Sequence, residues 1–418
     1  MFPLVIEALI KIALLIGGLM TAAAYFVLLE RWIAAWVQDR LGPNRAGVPL
    51  TNIRLFGLGQ PLADGVKFMF KSDVTPDHVD KIMYFVAPVT IFVSAIVAFA
   101  VIPFGSFLPP NTLPGDWSVA QPIQLIAAPG LDVGLIYIFA VGSVAVYGVV
   151  LGGWASNDKY SFLGGMRSSA QLIAYELPLG LGILGVVLWS GSLRLDTIIA
   201  GQANSGVWNV FIQPLGFVVF CVAAFAEAAR LPFDLPEAEQ ELVGGYHTEY
   251  SGMRLMMYLV AEFLHMITAA FLLVILFFGG WHLWGLTDGV NAPGGHIVTW
   301  PVALLRIVVL LAKVMGMILF FMLVRWSWPR FRFDQLMNLA WKVMLPLGMV
   351  NLLVVAVGAE YAPRLWGEGI GSVAVVTAAG WVTLMASWMV VAHFDPGATD
   401  NRPRVSAELA RQWEEGSR

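Results

Sequence analysis

Long apolar runs recur along this chain, separated by polar connections rich in turn-forming residues. A hydrocarbon core about 30 Å thick needs roughly 20 apolar residues per helix. Windows of that kind fall near 4–29, 82–104, 133–153, 170–189, 210–229, 256–278, 303–325, 341–359 and 371–391, the last two being the shortest. They lack the alternating pattern of a membrane barrel, and lipid offers backbone polar groups no partner, so they predict helices. The expected fold is an all-α polytopic membrane protein with about nine transmembrane helices. The first window closes without a small-residue cleavage site and reads as a retained span. No repeat of roughly 20 to 50 residues and no inverted pair of broken helices is visible, which speaks against a secondary transporter.

Charge orients these spans. Nineteen of the 24 Lys and Arg residues fall in alternate connections, from Arg31, Arg40 and Arg45 through Lys159, Arg230 and Arg325 to Arg418, whereas the opposite loops hold only Arg194 and Arg364. Positive residues are retained on the cytoplasmic side. The N-terminus is therefore expected outside and the C-terminus in the cytoplasm, which requires an odd number of spans. The outward loop 105–130, with its five prolines, reads as a connector, and the inward loops 30–81, 227–255 and 325–342 carry nearly all the candidate chemistry.

Composition agrees: 58% of residues are hydrophobic and only 12% charged, with a mean hydropathy of +0.76, where soluble domains run near about 25% charged. No nucleic-acid footprint is present. The single cysteine, Cys221, allows no internal disulfide and cannot supply the thiolates of an iron–sulfur cluster. No metal site is expected, so any electrons must come from a partner.

Ionisable residues inside spans are costly enough to be functional candidates. Glu176 lies just before Pro178, Glu262 and His265 share a face three residues apart, Lys313 sits near the middle of its span, and Glu227 and Arg230 close another. At 1.5 Å per residue, Glu262 and Glu176 lie roughly 10 Å from the cytoplasmic ends and Lys313 roughly 18 Å, with Glu227 at the edge. Such a descending series suits proton relay to a neighbouring subunit. The structural alternatives are a cap or ion pair for Glu227 with Arg230, a satisfied interior histidine for His265, and a salt bridge from Lys313 to one of the carboxylates.

The next segment carries Glu237, Glu239, Glu241 and Glu249 among Phe233, Leu235, Leu242 and Val243. Neighbouring carboxylates that are partly buried raise one another's pKa, as a proton switch requires; a solvated charge run is the other reading. In the first inward loop, residues 61–71 place Leu62, Val66, Phe68, Met69 and Phe70 beside Asp64, Lys67 and Lys71, compatible with a helix lying in the membrane interface above an apolar ligand, or with a basic anchoring loop.

The stretch Glu227-Ala-Ala-Arg230-Leu-Pro-Phe-Asp234, followed by Glu237, Glu239, Glu241 and Gly244-Gly-Tyr-His-Thr-Glu249-Tyr250, resembles the third inward loop of the H-type membrane subunits of bacterial NADH:quinone oxidoreductase, the counterparts of mitochondrial subunit 1 of respiratory complex I. Glu30-Arg31, Arg40-Leu-Gly-Pro-Asn-Arg45, Gln60-Pro-Leu-Ala-Asp64, Gly153-Trp-Ala-Ser-Asn157, Ser169 to Glu176 and Pro329 to Gln335 agree with the same family, in order over roughly residues 4 to 359. Trp32 stands where the family usually has Lys, the stretch from Asn44 to Gln60 is longer than usual, and Lys71-Ser72-Asp73 replaces the common Lys-Glu.

The resemblance implies a subunit of a proton-pumping NADH:quinone oxidoreductase, in a bacterial cytoplasmic (inner) membrane, that forms part of a quinone channel. Its substrate would be quinone, with iron–sulfur cluster and flavin on partner subunits. Its partners would be the peripheral arm, the small membrane subunits and the antiporter-like subunits. By position, Glu30, Arg31, Arg40, Asp64, Arg230, Asp234 and Phe233 would serve quinone binding. Glu176, Glu227, Glu262, Glu237, Glu239 and Glu241 would relay protons or the coupling signal, and residues 1–359 would form an eight-span core that 360–418 extends by one helix and a tail. The rival readings are the homologous subunit of an energy-converting hydrogenase or other dehydrogenase, a self-sufficient cation transporter, and a passive anchor for the peripheral arm.

Overall fold

A computed structural model describes residues 2–44, 57–108, 123–235, 242–287, 290–292, 295–297, 299–367 and 369–394. Among them the long helices are α1 (Phe2–Val37), α3 (Lys81–Val97), α4 (Gly134–Ala155) and α5 (Lys159–Ser190). The short α2 (Gln60–Phe70) lies between α1 and α3, and the short α6 (Leu195–Ser205) and α7 (Asn209–Ile212) lead into α8 (Pro214–Glu227). There follow α9 (Gly252–Phe277), α10 (Trp300–Ser327), α11 (Phe333–Asn338), α12 (Leu345–Trp366) and α13 (Ile370–Phe394). A π-helical turn, Leu339–Met344, joins α11 to α12.

Among the described residues, eight helical segments are long and apolar enough to cross a membrane. The remaining window, 210–229, forms only the 14-residue α8. Polar side chains explain the shortening: Asn209 Nδ2 donates to the carbonyl of Leu276 at 2.8 Å and Gln213 Nε2 to that of Gly185 at 3.1 Å. Gln213 leaves helical geometry (φ −129°, ψ 64°), and Pro214 restarts the helix at a position where its missing N–H costs nothing. The window 341–359 expands into a continuous unit from Phe333 to Trp366, so it is not among the shortest.

Helix starts follow from sequence. Asp80 accepts from the N–H groups of Ile82 and Met83 at the head of α3, and Asp158 from those of Tyr160 and Ser161 at the head of α5. Without a hydrophobic drive in lipid, close packing uses small residues. A Cβ at Gly148 of α4 would lie 2.9 Å from the carbonyl of Ala87 in α3, and one at Gly182 of α5 would lie 3.2 Å from that of Gly216 in α8. The core centres on α9, where every residue from Met266 to Phe277 is buried.

The charged loops meet at one end of the bundle. Tyr84 Oη donates to the carbonyl of Glu249 at 2.6 Å, Arg254 Nε pairs with Asp73 at 3.2 Å, and the Phe331 N–H donates to the carbonyl of Pro232 at 3.2 Å. The connection expected to be inert is more than a connector, since Phe107–Leu108 and Ile123–Gln124 pair antiparallel. A second hairpin joins Val290–Ala292 to Gly295–Ile297. At that opposite end Arg194 pairs with Asp196 at 2.8 Å and Asp132 at 3.3 Å, and these carboxylates hold its pKa above the ordinary value, Asp196 most strongly.

Candidate functional site

At the charged end a cavity of about 1090 Å³ opens between α1, α2, the loop after α8, α9 and α10. Its wall is mixed: Ala23, Val27, Ala34, Leu259, Val260 and Phe263 supply apolar surface, and Glu30, Arg31, Arg40, Asp64, Arg230, Asp234, His247, Glu262 and Arg325 supply charge or polarity. The volume lies just above the usual span of small-molecule sites, roughly 300–1,000 Å³. Six of the seven residues expected to bind quinone line it.

The seventh, Phe233, is buried behind the wall. Its ring stacks on Phe331 (5.3 Å, 8°) and tilts against Tyr175 (5.7 Å). Gln171 Nε2 donates to the carbonyls of both Ala226 and Phe233 at 2.8 Å, which fastens the loop after α8 to α5. Phe233 thus supports the wall from outside the cavity.

Glu30 is the electrostatic centre of the wall. This buried carboxylate accepts from Arg230 at 3.2 Å and from Arg325, while Arg230 also lies 4.1 Å over the ring of Phe263. A charge out of water persists only when paired and hydrogen-bonded, and here one carboxylate answers two guanidinium groups. Arg31 pairs with Asp64 at 2.8 Å nearer the surface, and Asp64 also takes Gln60 at 3.3 Å and Lys67 at 3.6 Å. Arg40 is exposed at the rim, its Nε donating to Gln38 at 2.7 Å. The helix expected at 61–71 is present as α2: Leu62, Val66, Met69 and Phe70 are exposed along one face, and Asp64 and Phe68 turn to the cavity.

A second, smaller pocket of about 60 Å³ adjoins the first and is lined by Glu176, Glu227, Glu262, Ser143, Tyr246 and His265. The three carboxylates expected to act together do share a site, with His265 beside them. Glu176 accepts from Ser143 Oγ, and Glu262 Oε1 accepts from Tyr246 Oη at 2.9 Å. Glu262 lines both chambers and so stands in the partition between them. Glu176 is exposed on the outside of the chain, flanked by exposed Ile173 and Leu177.

Two expectations change. Glu227 and Arg230 are not partners: α8 ends at Glu227, Ala229 takes φ +48°, and the side chains diverge, Glu227 into the small pocket and Arg230 to Glu30. Lys313 joins no carboxylate series. Its Nζ donates to the carbonyls of Phe278 (2.7 Å), Gly280 (3.0 Å) and His282 (2.7 Å), and it lies 4.3 Å over the ring of Trp208. It closes the C-terminal end of α9, where carbonyls lack intrahelical donors.

Glu237, Glu239 and Glu241 lie outside the described residues. Farther along that loop Tyr250 stacks on Tyr84 (4.1 Å, 6°), and burial pushes its phenol above the ordinary pKa, so it stays protonated. Residues not singled out from the sequence also reach the site. Arg325 reads from the sequence only as a basic flank, although a cation in the last turn of a span is a signal of its own. Ser143 carries none, because a hydroxyl in an apolar run is ordinary until its neighbour is known, and Tyr246 and His247 stand in a motif stretch whose spacing gives them no role of their own. Among the described residues no three or more His, Cys, Asp or Glu side chains are placed so that together they could hold a metal ion.

Comparison with known proteins adds independent findings. The model of a family described as NADH dehydrogenase matches residues 10–356. A protein of Geobacter metallireducens, named as the H-type subunit of NADH-quinone oxidoreductase and numbered 1, is 46% identical over 346 residues, covering 83% of this chain and 94% of that protein. The H-type subunit of NADH-quinone oxidoreductase from Leptospira biflexa is 44% identical over 365 residues, covering 86% and 96%. NADH-quinone oxidoreductase subunit 8 of Rhodothermus marinus is 41% identical over 362 residues, covering 85% and 98%.

Proposed function

The chain belongs to the NADH dehydrogenase family as an H-type subunit of NADH-quinone oxidoreductase, a multi-pass membrane subunit of complex I, and from that premise we propose that its large cavity receives the quinone and its small pocket relays the redox event as protons or charge. The observation that carries this is Glu262, a carboxylate shared by the chamber that would hold the ligand and the pocket that holds Glu176 and Glu227.

The mixed wall suits an amphiphile. Apolar positions on α1 and α9 accept an isoprenoid tail, and the Glu30, Arg230 and Arg325 cluster offers donors to a polar ring. With one cysteine, this chain leaves electron delivery to an iron–sulfur cluster on a partner at the charged end, and flavin chemistry lies farther away on the same partners. Charge arriving on the quinone alters the field at Glu262. Carboxylates that line one pocket interact with one another, so the change propagates to Glu227 and Glu176 as a shift in charge or proton occupancy. Glu176, exposed between apolar neighbours on a face suited to another membrane helix, hands it to an adjoining subunit.

Arg31, Arg40 and Asp64 form the rim of the channel, and Asp234 its loop side. Phe233 acts by packing. We assign Glu237, Glu239 and Glu241 to the same coupling loop, residues 1–359 to the core and 360–418 to an extension, in a bacterial inner membrane. The relatives' names favour this reading over a hydrogenase subunit. The test is Glu262→Gln in the assembled complex reconstituted in proteoliposomes. Proton transport is expected to fall by more than quinone reduction does, whereas normal values of both would overturn the relay.

A further inference from the structure

Gly245–His247 form a single 3₁₀ turn between the loop after α8 and the head of α9. The turn lies directly on α5: a Cβ at Gly164 would sit 2.6 Å from the amide nitrogen of Tyr246 and 2.7 Å from Cα of Gly245. Gly245 itself takes φ +60°, a conformation open to glycine at little cost. The next two side chains then leave toward different chambers. Tyr246 lines the small pocket and His247 the large cavity, with their rings 5.1 Å apart and nearly perpendicular.

Tyr246 is buried, its ring edge-on to Tyr258 at 5.2 Å, and its hydroxyl donates to Glu262 Oε1 at 2.9 Å. The donor that orients the partition carboxylate is thus carried not by α9 but by a separate turn, whose neighbouring residue faces the ligand chamber. A phenolic donor stabilises the ionised carboxylate, and its withdrawal favours the protonated one. The other charged or titratable groups lining these chambers are Glu176, Glu227 and His265 in the small pocket and Glu30, Arg31, Arg40, Asp64, Lys67, Arg230, Asp234, His247 and Arg325 in the large one.

We propose that Tyr246 is a positioning residue that holds Glu262 toward the small pocket, and that an occupant of the large cavity pressing on His247 shifts the Gly245–His247 turn and withdraws this donor. The inference rests on the relay role of Glu262 given above. Loss of one hydrogen bond to a charged group changes the balance between two orientations roughly tenfold. A backbone in direct contact with α5 has no slack, so a small push on His247 reaches Tyr246.

The experiment uses the assembled complex in proteoliposomes with Tyr246→Phe, and with Glu262→Gln to identify the Glu262 carbonyl band in redox-induced infrared difference spectra. Tyr246→Phe is expected to lower the protons moved per NADH more than the rate of quinone reduction and to shift that band. Tyr258→Phe, which removes a hydroxyl that donates to the carbonyl of Gly148, leaves the band in place. Replacing Tyr246 by 3-fluorotyrosine preserves the ring's packing and strengthens the donor, so the band moves even if Tyr246→Phe fails to assemble. An unmoved band in the 3-fluorotyrosine protein, or normal pumping in Tyr246→Phe while Glu262→Gln is defective, overturns the role of Tyr246. Normal pumping in Glu262→Gln instead overturns the relay reading beneath it.

Discussion

Lys313 and the group Glu176, Glu227 and Glu262 are all ionisable residues on membrane-spanning helices or at their ends, yet their surroundings are opposite. Lys313 spends all three ammonium hydrogens on the carbonyls of Phe278, Gly280 and His282 and lies over Trp208. The carboxylates face one another across a pocket with room for water, with Ser143 and Tyr246 donating to two of them. A charge whose partners are saturated by fixed backbone groups has nothing to exchange. Carboxylates that share a pocket with room for water have neighbours with which the proposed relay exchanges protons. Position within a span marks a residue as costly, and the completeness of its partners separates Lys313 from the carboxylates to which the proposed relay is assigned.

Glu30 tests the rule from the cavity wall, because it is saturated like Lys313 while lining the ligand chamber. Glu30→Ala leaves Arg230 and Arg325 without their shared carboxylate, and the expected cost is about 3–5 kcal/mol, read as lost assembly or a lowered unfolding midpoint of the purified complex. A fully assembled, equally stable variant would move Glu30 into the working class. Lys313→Met uncaps the end of α9 and should cost about 3 kcal/mol, with normal pumping per NADH in whatever complex still assembles. A selective pumping defect at full stability would erase the contrast with the carboxylates. Glu176→Gln keeps shape and a hydrogen-bonding group, so stability should stay within about 0.5 kcal/mol. The same complex should pump fewer protons per NADH, and coupling as tight as in the parent protein would place Glu176 among the structural charges.

Much of this was legible along the chain. Apolar windows predicted the helices, and the ends of eight differ from expectation mainly by extension into the charged loops. The fifth was misjudged in length because hydropathy cannot see that Asn209 and Gln213 have carbonyl partners on other helices. Depth counting brought Glu176 and Glu262 to a similar level but grouped Lys313 with them, since depth along a helix says nothing about the direction a side chain takes. Spacing misled at Glu227 and Arg230, which three-residue periodicity pairs only while the helix continues, and it ends between them.

The sequence by itself determined that this chain lives in a bilayer as a helical bundle, and its motifs determined its family. Both follow from local properties: backbone groups in lipid must bond within their own helix, and motif residues are read in order. Only the tertiary structure decided which charges share a chamber, that Glu262 divides two of them, and that Tyr246 reaches it from another segment. Those relations depend on contacts between residues far apart in the chain, where packing of small residues and the break after α8 set the direction of each side chain.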